Sequence, residues 1–385
     1  MDFKNLRVLV LDGSGKQPHA MIKGLKDIGC HVTVLCSSKR NTCYVSKLPD
    51  KKLLVEGIKP ESKKYIPYLL KQAKSGKYDM FMPIGEMSTN TVTQYEAEFN
   101  KYLKLACAPR DTYIKAFNKQ ITFDTAMKSG IPCPYTRHSS QDIEDFLSNA
   151  KFPIIIKPRQ GLGSIGFHKF ETEAEFRSYL ADPEFNVDEY VVQEFVNFEK
   201  RIGANIFVDQ KGNICSSYAV EVYRWFPIDA GAGVLIKTVD AHEVLDYAGK
   251  LLKALGWKGF ANVGFMIDKE TGAPRLLEIN GRIPASIKMA YMCGFNISRQ
   301  MIEMVSDEEV IRYNENKNFE MYVRHFDTDI AWFLKSPDRF KAKPSWFSWK
   351  NTKEVLFDIR DPRPFFTHLF QQIFNYKTTM KKKKH

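Results

Sequence analysis

No apolar run reaches the roughly 18 residues that a membrane-spanning helix needs, so a spanning segment is not expected among the 385 residues. The opening Met1-Asp2-Phe3-Lys4 leads straight into an apolar strand. It lacks the charged start, long apolar stretch and small-residue cleavage site of a signal peptide. The seven cysteines (Cys30, Cys36, Cys43, Cys107, Cys133, Cys215 and Cys293) are scattered and odd in number, and no two form a CxxC pair. That argues against both a zinc knuckle and a disulfide framework, and favours a reduced, cytoplasmic protein. The loop Asp12-Gly13-Ser14-Gly15-Lys16 is neither GxGxxG nor a Walker A loop, and it reads as a tight strand-to-helix turn with phosphate holding as the alternative. There is no internal repeat, no zinc-finger spacing and no aromatic-basic RNA-binding motif, so nucleic acid is not expected as a partner.

What is present is ordinary globular composition, with 44% apolar and 26% charged residues. The net charge is +12, of which Lys381–Lys384 supply four, leaving a basic body suited to anionic ligands. Residues 6–11 (LRVLVL), the helical pattern up to Gly29, the strand His31–Leu35 and a further strand at Tyr78–Pro83 read as the opening of a parallel α/β sheet. Residues 1–108 are therefore taken as a small Rossmann-like domain. A helix over Thr112–Ser129 stops at Gly130 and Pro132. Strands at Phe152–Lys157, Phe167–Phe170, Tyr190–Phe195, Ile202–Val208, Ile214–Val220, Phe260–Asp268 and Arg275–Ile279 suggest a mainly antiparallel second part, with helices at Glu173–Leu180 and His242–Leu255. Beyond about Val310 the texture changes to an aromatic-rich stretch that includes Trp332, Trp346, Trp349, Phe365, Phe366, Phe370 and Phe374.

Two elements carry chemistry. The apolar strand ending in Lys157 runs into PRQGLGSIG, where Gly161, Gly163 and Gly166 let the backbone approach a charged ligand and Lys157 can neutralise it. A mobile hairpin with a solvated lysine is the bland alternative. In LLEIN (276–280), Glu278 sits on a buried-type strand where a lone carboxylate is costly, and Asn280 projects from the same face. Two oxygen ligands on one face suit Mg²⁺ or Mn²⁺, and Arg282 could clamp a transferred phosphoryl group or an anionic substrate. The bland alternative here is a solvated glutamate followed by a turn. Both elements in one chain point to nucleotide phosphoryl chemistry.

The pieces KAFNKQITFDTAMKSGIPCPYT, FPIIIKPRQGLGSIG, VVQEFV and ANVGFMIDKETGAPRLLEINGRIPAS, in that order over roughly residues 1–300, resemble the ATP-grasp superfamily. The similarity is to its carboxylate–amine ligase and carbamoyl-phosphate-synthase-like branch. After the Rossmann-like domain over 1–108, the resemblance implies an ATP-grasp domain over 109–310 (a small subdomain of about 115–192 and a larger one of about 193–310); the aromatic-rich texture sets apart a separate C-terminal region over 311–385 with a basic tail. It implies Lys119 and Lys157 on the ATP phosphates, and a flap over 160–166 containing Gln160, Gly161, Gly163, Ser164 and Gly166. It further implies a hinge at Gln193, Glu194, Phe195 and Val196 that reads the adenine edge, Glu199 on the ribose, Glu278 and Asn280 on the metal, and Arg282 beside the transferred phosphate. The family's usual ligand on the preceding strand is replaced by Gly264, so either Glu221, Asn262 or water serves the first metal ion instead, or that ion binds weakly.

The stretch 221–239 matches the substrate-facing loop of such enzymes. Arg224 is its candidate for a carboxylate or phosphate contact, with a surface arginine beside Trp225 as the equal alternative. Glu86 could face the acceptor site. The implied reaction is ligation of a small-molecule carboxylate to an amine through an acyl phosphate, with bicarbonate activation or nucleotide binding without turnover as the other readings. A homodimer is among the expectations. The C-terminal HLFQQIF and basic tail are read as a helix packed on the core with solvated lysines, in preference to a peripheral membrane contact.

Overall fold

The computed structural model describes residues 3–161, 166–228, 231–313 and 320–382, with side chains as far as 372. Three sheets follow one another along the chain. The first comprises β1 (Arg7–Val10), β2 (His31–Cys36), β3 (Lys51–Leu54), β4 (Met80–Met82) and β5 (Lys104–Leu105), in the order β3-β2-β1-β4-β5 and parallel throughout. A parallel sheet is covered on both faces, which is why its inner strands are continuous apolar runs. Val8, Val10, Val32, Val34, Met80 and Met82 face one core, while Leu9, Leu11, Leu35, Phe81 and Leu105 face the other. β3 and β5 have no counterpart in the sequence-based assignment. They are short, and the charged Lys51 and Lys52 conceal β3.

The second sheet comprises β6 (Thr136–Arg137), β7 (Ile154–Pro158), β8 (His168–Phe170) and β9 (Tyr190–Glu194), in the order β6-β9-β7-β8. Ile154, Ile156 and Val192 pack there on Phe146 and Phe176 from the helices Ile143–Asn149 and Glu173–Leu180. The third is a large sheet of β10 (Phe198–Val208), β11 (Ile214–Phe226), β12 (Ala232–Val239), β13 (Gly259–Asp268), β14 (Pro274–Asn280), β15 (Tyr322–Arg324) and β16 (Thr352–Glu354). Its order is β14-β13-β10-β11-β12-β15-β16, and the aromatic-rich stretch thus supplies its last two strands. The amphipathic helix His242–Ala254 covers one face through Val244, Ala248, Leu251 and Leu252. All seven cysteines are free, and no helix among the described residues is long and apolar enough to cross a membrane.

Two sequence expectations change. The single helix over Thr112–Ser129 is two helices, Arg110–Phe117 and Lys119–Lys128. Asn118 leaves helical geometry (φ −94°, ψ 105°) and its side chain accepts from the Gln120 N–H, so an N-cap begins a second helix inside the apparent run. Most of the stretch 221–239 is strand: 221–226 end β11 and 232–239 make up β12, paired from Ala219↔Val239 to Phe226↔Ala232. Its β-branched and aromatic residues favour the extended pairing.

The parallel sheet meets the helices that follow β14 through the helix Gln17–Asp27. Asn296 Nδ2 donates to Gly24 O (2.9 Å) and Ser298 Oγ to Met21 O (2.8 Å). A Cβ at Gly24 would lie 2.5 Å from Tyr291 Cε1. Overpacking of this kind costs about 1–3 kcal/mol. Gly24→Val should therefore lower stability by about that amount in urea unfolding, and an unchanged midpoint would mean that this junction yields freely.

Candidate active site

The site is built on one face of the large sheet. Side chains two residues apart on a strand share a face, and the strand register aligns them in rows. Asn205, Asn262 and Asn280 form one row across β10, β13 and β14; Gly203, Gly264 and Glu278 form the next. Asn262 Nδ2 donates to Asn205 Oδ1 (3.0 Å), and Asn280 Nδ2 donates to Glu278 Oε1 (3.1 Å) and reaches Asn262 Oδ1 (3.4 Å). Both ends of the Asn262 amide are thus engaged within the sheet. The two glycines leave the next row flat. A Cβ at Gly264 would meet only ordinary contacts, the nearest at 3.6 Å to Leu277, so packing does not require glycine there.

Four cations gather around two carboxylates. Lys157 is the penultimate residue of β7, and Lys119 opens the helix Lys119–Lys128, whose first N–H donates to Arg159 O (2.9 Å) and ties it to the segment after β7. Arg282 follows β14 and pairs with Glu86 at 3.6 Å; Glu86 opens the helix Glu86–Thr93 beyond β4. Arg201, two residues before Gly203 on β10, is the fourth cation. Its Nη1 donates to Gly231 O (2.9 Å) and its guanidinium stacks on Trp225 at 4.5 Å. Its Nε and Nη2 are buried with no hydrogen-bond partner.

The electrostatics follow from burial. Desolvation pulls the Lys157 ammonium down to about 8, with Lys119 adding to the drop and Glu278 opposing it. Burial likewise lowers Arg201 to about 10 against the pull of Glu278, and lowers Lys119 against Glu278 and Glu86. Burial raises Glu86, opposed mainly by Arg282. Cations held out of water with too few counter-charges form a receptor for a multiply charged anion.

The other expected positions fall in different places. Gln160 and Gly161 are exposed after β7. Gly166 has φ +74°, and a Cβ there would lie 2.7 Å from Pro158 Cγ, so this position needs glycine. Gly163 and Ser164 lie outside the described residues. Gln193 is fully buried inside the second sheet, where its Nε2 donates to Thr136 Oγ1 (2.8 Å). The Glu194 and Phe195 N–H groups already donate to Tyr135 O and Pro153 O, so they are not free to read a base edge. Val196 is buried beside them, and Glu199 is exposed near the start of β10.

Arg224 does not reach the site. Its Nε and Nη2 donate to Asp329 (2.8 and 2.9 Å) and its Nη1 to Pro344 O (3.1 Å), all in the interior. β11 is irregular here: its register on β12 shifts between Val222 and Arg224 and again before Trp225, so Arg224 turns inward to Asp329 while Trp225 stacks on Arg201. The available signal for Arg201 was its spacing of two from Gly203 and four from Asn205 on one strand face. A separate crevice of about 350 Å³ opens at the carboxyl ends of β1, β2 and β4, lined by Asp12, Ser14, Ser37, Lys59, Tyr65 and Glu86 among others. The strand order reverses between β1 and β4, which is where open α/β sheets bind ligands. The Asp12 loop is thus the crevice wall, held by Asp12 Oδ2 accepting from Ile84 N, Gly85 N and Ser88 Oγ.

The segment that carries Lys119, Lys157, Glu278 and Asn280 is matched by a known family: residues 116–286 match the family model of the ATP-grasp domain. The chain is 24% identical over 296 residues to the carbamoyl phosphate synthase large chain of Thermotoga sp. (strain RQ2), covering 72% of this chain and 26% of that one. It thus spans about a quarter of that relative's length. The biotin carboxylase domain of Hydrogenobacter thermophilus 2-oxoglutarate carboxylase, solved with MgADP, ADP and bicarbonate, superposes with a TM-score of 0.68 at 15% identity, covering 82% of this chain and 73% of that one. An N5-carboxyaminoimidazole ribonucleotide synthetase bound to ADP gives 0.64 at 16%, covering 87% and 86%. At these identities the superpositions establish the fold.

Two predictions follow from the geometry. The Lys157 ammonium is lost as pH rises through about 8. Binding a phosphate group restores its proton, so ADP affinity should fall between about pH 7 and pH 9, with proton uptake on binding. Calorimetry in two buffers of different ionisation heat checks this; no uptake, or uptake unchanged in Lys157→Met, would remove Lys157 from the anion site. Arg224→Met leaves Asp329 buried with half its partners and should cost about 3–5 kcal/mol in urea unfolding.

Proposed function

We propose that the chain is an ATP-dependent ligase that activates a carboxylate as an acyl phosphate and transfers the acyl group to an amine. The observation that carries this reading is the set of half-desolvated cations Lys119, Lys157, Arg201 and Arg282, with the two orphaned donors of Arg201, beside Glu278 and Asn280. Phosphate oxygens would satisfy those donors and supply the missing negative charge. Glu278 and the Asn280 amide oxygen suit a divalent cation that keeps waters and phosphate oxygens as its other ligands. That ion, when bound, would neutralise phosphate charge. Gly264 adds no ligand, so this chain has fewer metal donors than the resemblance implies.

In the proposed reaction a carboxylate oxygen forms a bond to the γ-phosphorus, the β–γ bridging P–O bond breaks, and ADP leaves. Lys119, Lys157 and Arg282 orient the phosphates, and Arg201 meets charge that spreads onto the transferred group. The amine nitrogen then attacks the acyl carbon, inorganic phosphate leaves, and the amine gives up a proton. Glu86 stands where the crevice of the first sheet meets Arg282, and its raised carboxyl suits accepting that proton. The acceptor would enter by that crevice.

Activation of bicarbonate is the second reading, supported by the bicarbonate in the Hydrogenobacter carboxylase structure. Phosphate release from ATP, screened against pooled acids and amines with mass spectrometry of products, separates the readings. Release that needs both an acid and an amine is expected. Release with bicarbonate alone supports the second reading, and tight ATP binding without release under any condition would overturn both. Arg201→Met should lower turnover at least about tenfold, the loss expected for a charge-assisted contact made in the transition state. Gly264→Glu has room for its Cβ and should fold normally while lowering the Mg²⁺ concentration needed for half-maximal release. An unchanged requirement would show that this position lies outside the metal's reach.

A further inference from the structure

The helix Arg363–Lys382 packs on the helices Thr42–Val45 and Phe326–Lys335, so its inner face is covered. The surface ahead of it is not. Of the twelve large apolar side chains exposed among the described residues, eight fall within residues 334–370. Ile359 is 84% and Phe340 73% exposed.

These side chains are not scattered. Phe333 touches Phe340, Trp346 and Phe347 at ring-centroid distances of 5.5, 4.5 and 5.8 Å. Phe326 touches Trp346, Trp349 and Phe365, and Phe365 touches Phe357 and Phe366. The exposed rings of Phe340, Phe347, Trp349, Phe357 and Phe366 are thus joined into one patch by half-buried rings behind them. Beneath lies Arg324, fully buried, its guanidinium 4.6 and 4.5 Å from the Trp346 and Trp349 rings and paired with Asp329. The patch is braced from within. Monomeric proteins rarely leave contiguous apolar surface of this kind uncovered.

Charge indicates what covers it. Residues 334–385 hold thirteen Lys and Arg against four Asp and Glu, which is nine of the chain's twelve net positive charges. Seven of these cations are exposed before residue 364, among them Lys335, Lys341, Lys343, Lys350 and Arg360. Glu354 and Asp361 are buried: Glu354 accepts from the Leu356 and Phe357 N–H groups, and Asp361 from Ser46 Oγ and Lys47 N. Asp338 is the exposed acid among them. A second copy of the chain would bring the same cations face to face. A nucleic acid would use the rings for stacking but leave Ile359 and Leu334 without a role.

We propose that the aromatic and basic surface of residues 334–366 docks on an anionic lipid bilayer. Phe, Trp, Ile and Leu side chains would enter the interface while lysines and arginines meet the headgroups. The test is co-sedimentation of the full chain with phosphatidylcholine vesicles and with vesicles of phosphatidylcholine and phosphatidylglycerol at three to one. At least tenfold stronger partition onto the anionic vesicles is expected, weakening as salt rises. Phe340→Ser/Phe347→Ser/Ile359→Ser should reduce it at least tenfold, with the melting temperature checked alongside. Ile359→Ser alone, at a side chain too exposed to matter for folding, should reduce it measurably. Equal partition of parent and triple variant overturns the proposal. So does loss on deleting residues 377–385 alone while the triple variant still binds. Binding of a single-stranded oligonucleotide without vesicle binding, or a dimer abolished by the triple variant without vesicle binding, also overturns it.

Discussion

A shortage of negative charge organises this protein. Lys119, Lys157, Arg201 and Arg282 converge on Glu278 and Glu86, and burial pushes Lys119, Lys157 and Arg201 toward their neutral forms. Such an arrangement is unfavourable in isolation, because each cation loses hydration without a full complement of partners. The surrounding structure maintains it. β7 and the helix opening at Lys119 are tied by one backbone hydrogen bond, the amide row of Asn205, Asn262 and Asn280 holds Glu278 on its face, and Trp225 with Gly231 O holds Arg201. The stored electrostatic cost is a measure of what an anionic ligand would recover.

The paired glycines deepen that arrangement. Gly203 and Gly264 face each other across β10 and β13, next to Glu278 on β14, and leave the sheet bare between Arg201 and the carboxylate. At Gly264 the space is not filled by anything that forbids a side chain. Packing within the sheet therefore does not account for the glycine at 264.

The distant end of the same sheet depends on a second buried charge group. Asp329 receives Arg224 and Arg324 together, joining β11 and β15 to the helix Phe326–Lys335, and the aromatic rings stack around Arg324. Breaking one partner of such a group strands the others, so the site's sheet and the aromatic surface are mechanically one piece. Residues that looked peripheral in sequence thus support the strands that carry Arg201.

Much was legible in the chain itself. The apolar runs of β1, β7 and β14, the glycine-rich stretch after Lys157 and the i, i+2 spacing of Glu278 and Asn280 are local patterns, and local periodicity determines which face a side chain takes. Those patterns were enough to place Lys157, Glu278 and Asn280 on strands. Which residues meet was decided by register and crossover. Arg201 joins Glu278 only because β10 pairs with β13 and β13 with β14, over separations of roughly sixty and fifteen residues. Glu86 joins Arg282 only because the first sheet packs beside the third. Arg224 looked equivalent to Arg201 by composition, yet its place on β11 turns it toward Asp329. Sequence determined the strands and the chemistry they carry; long-range pairing, which no local pattern encodes, decided which charges were left short of partners.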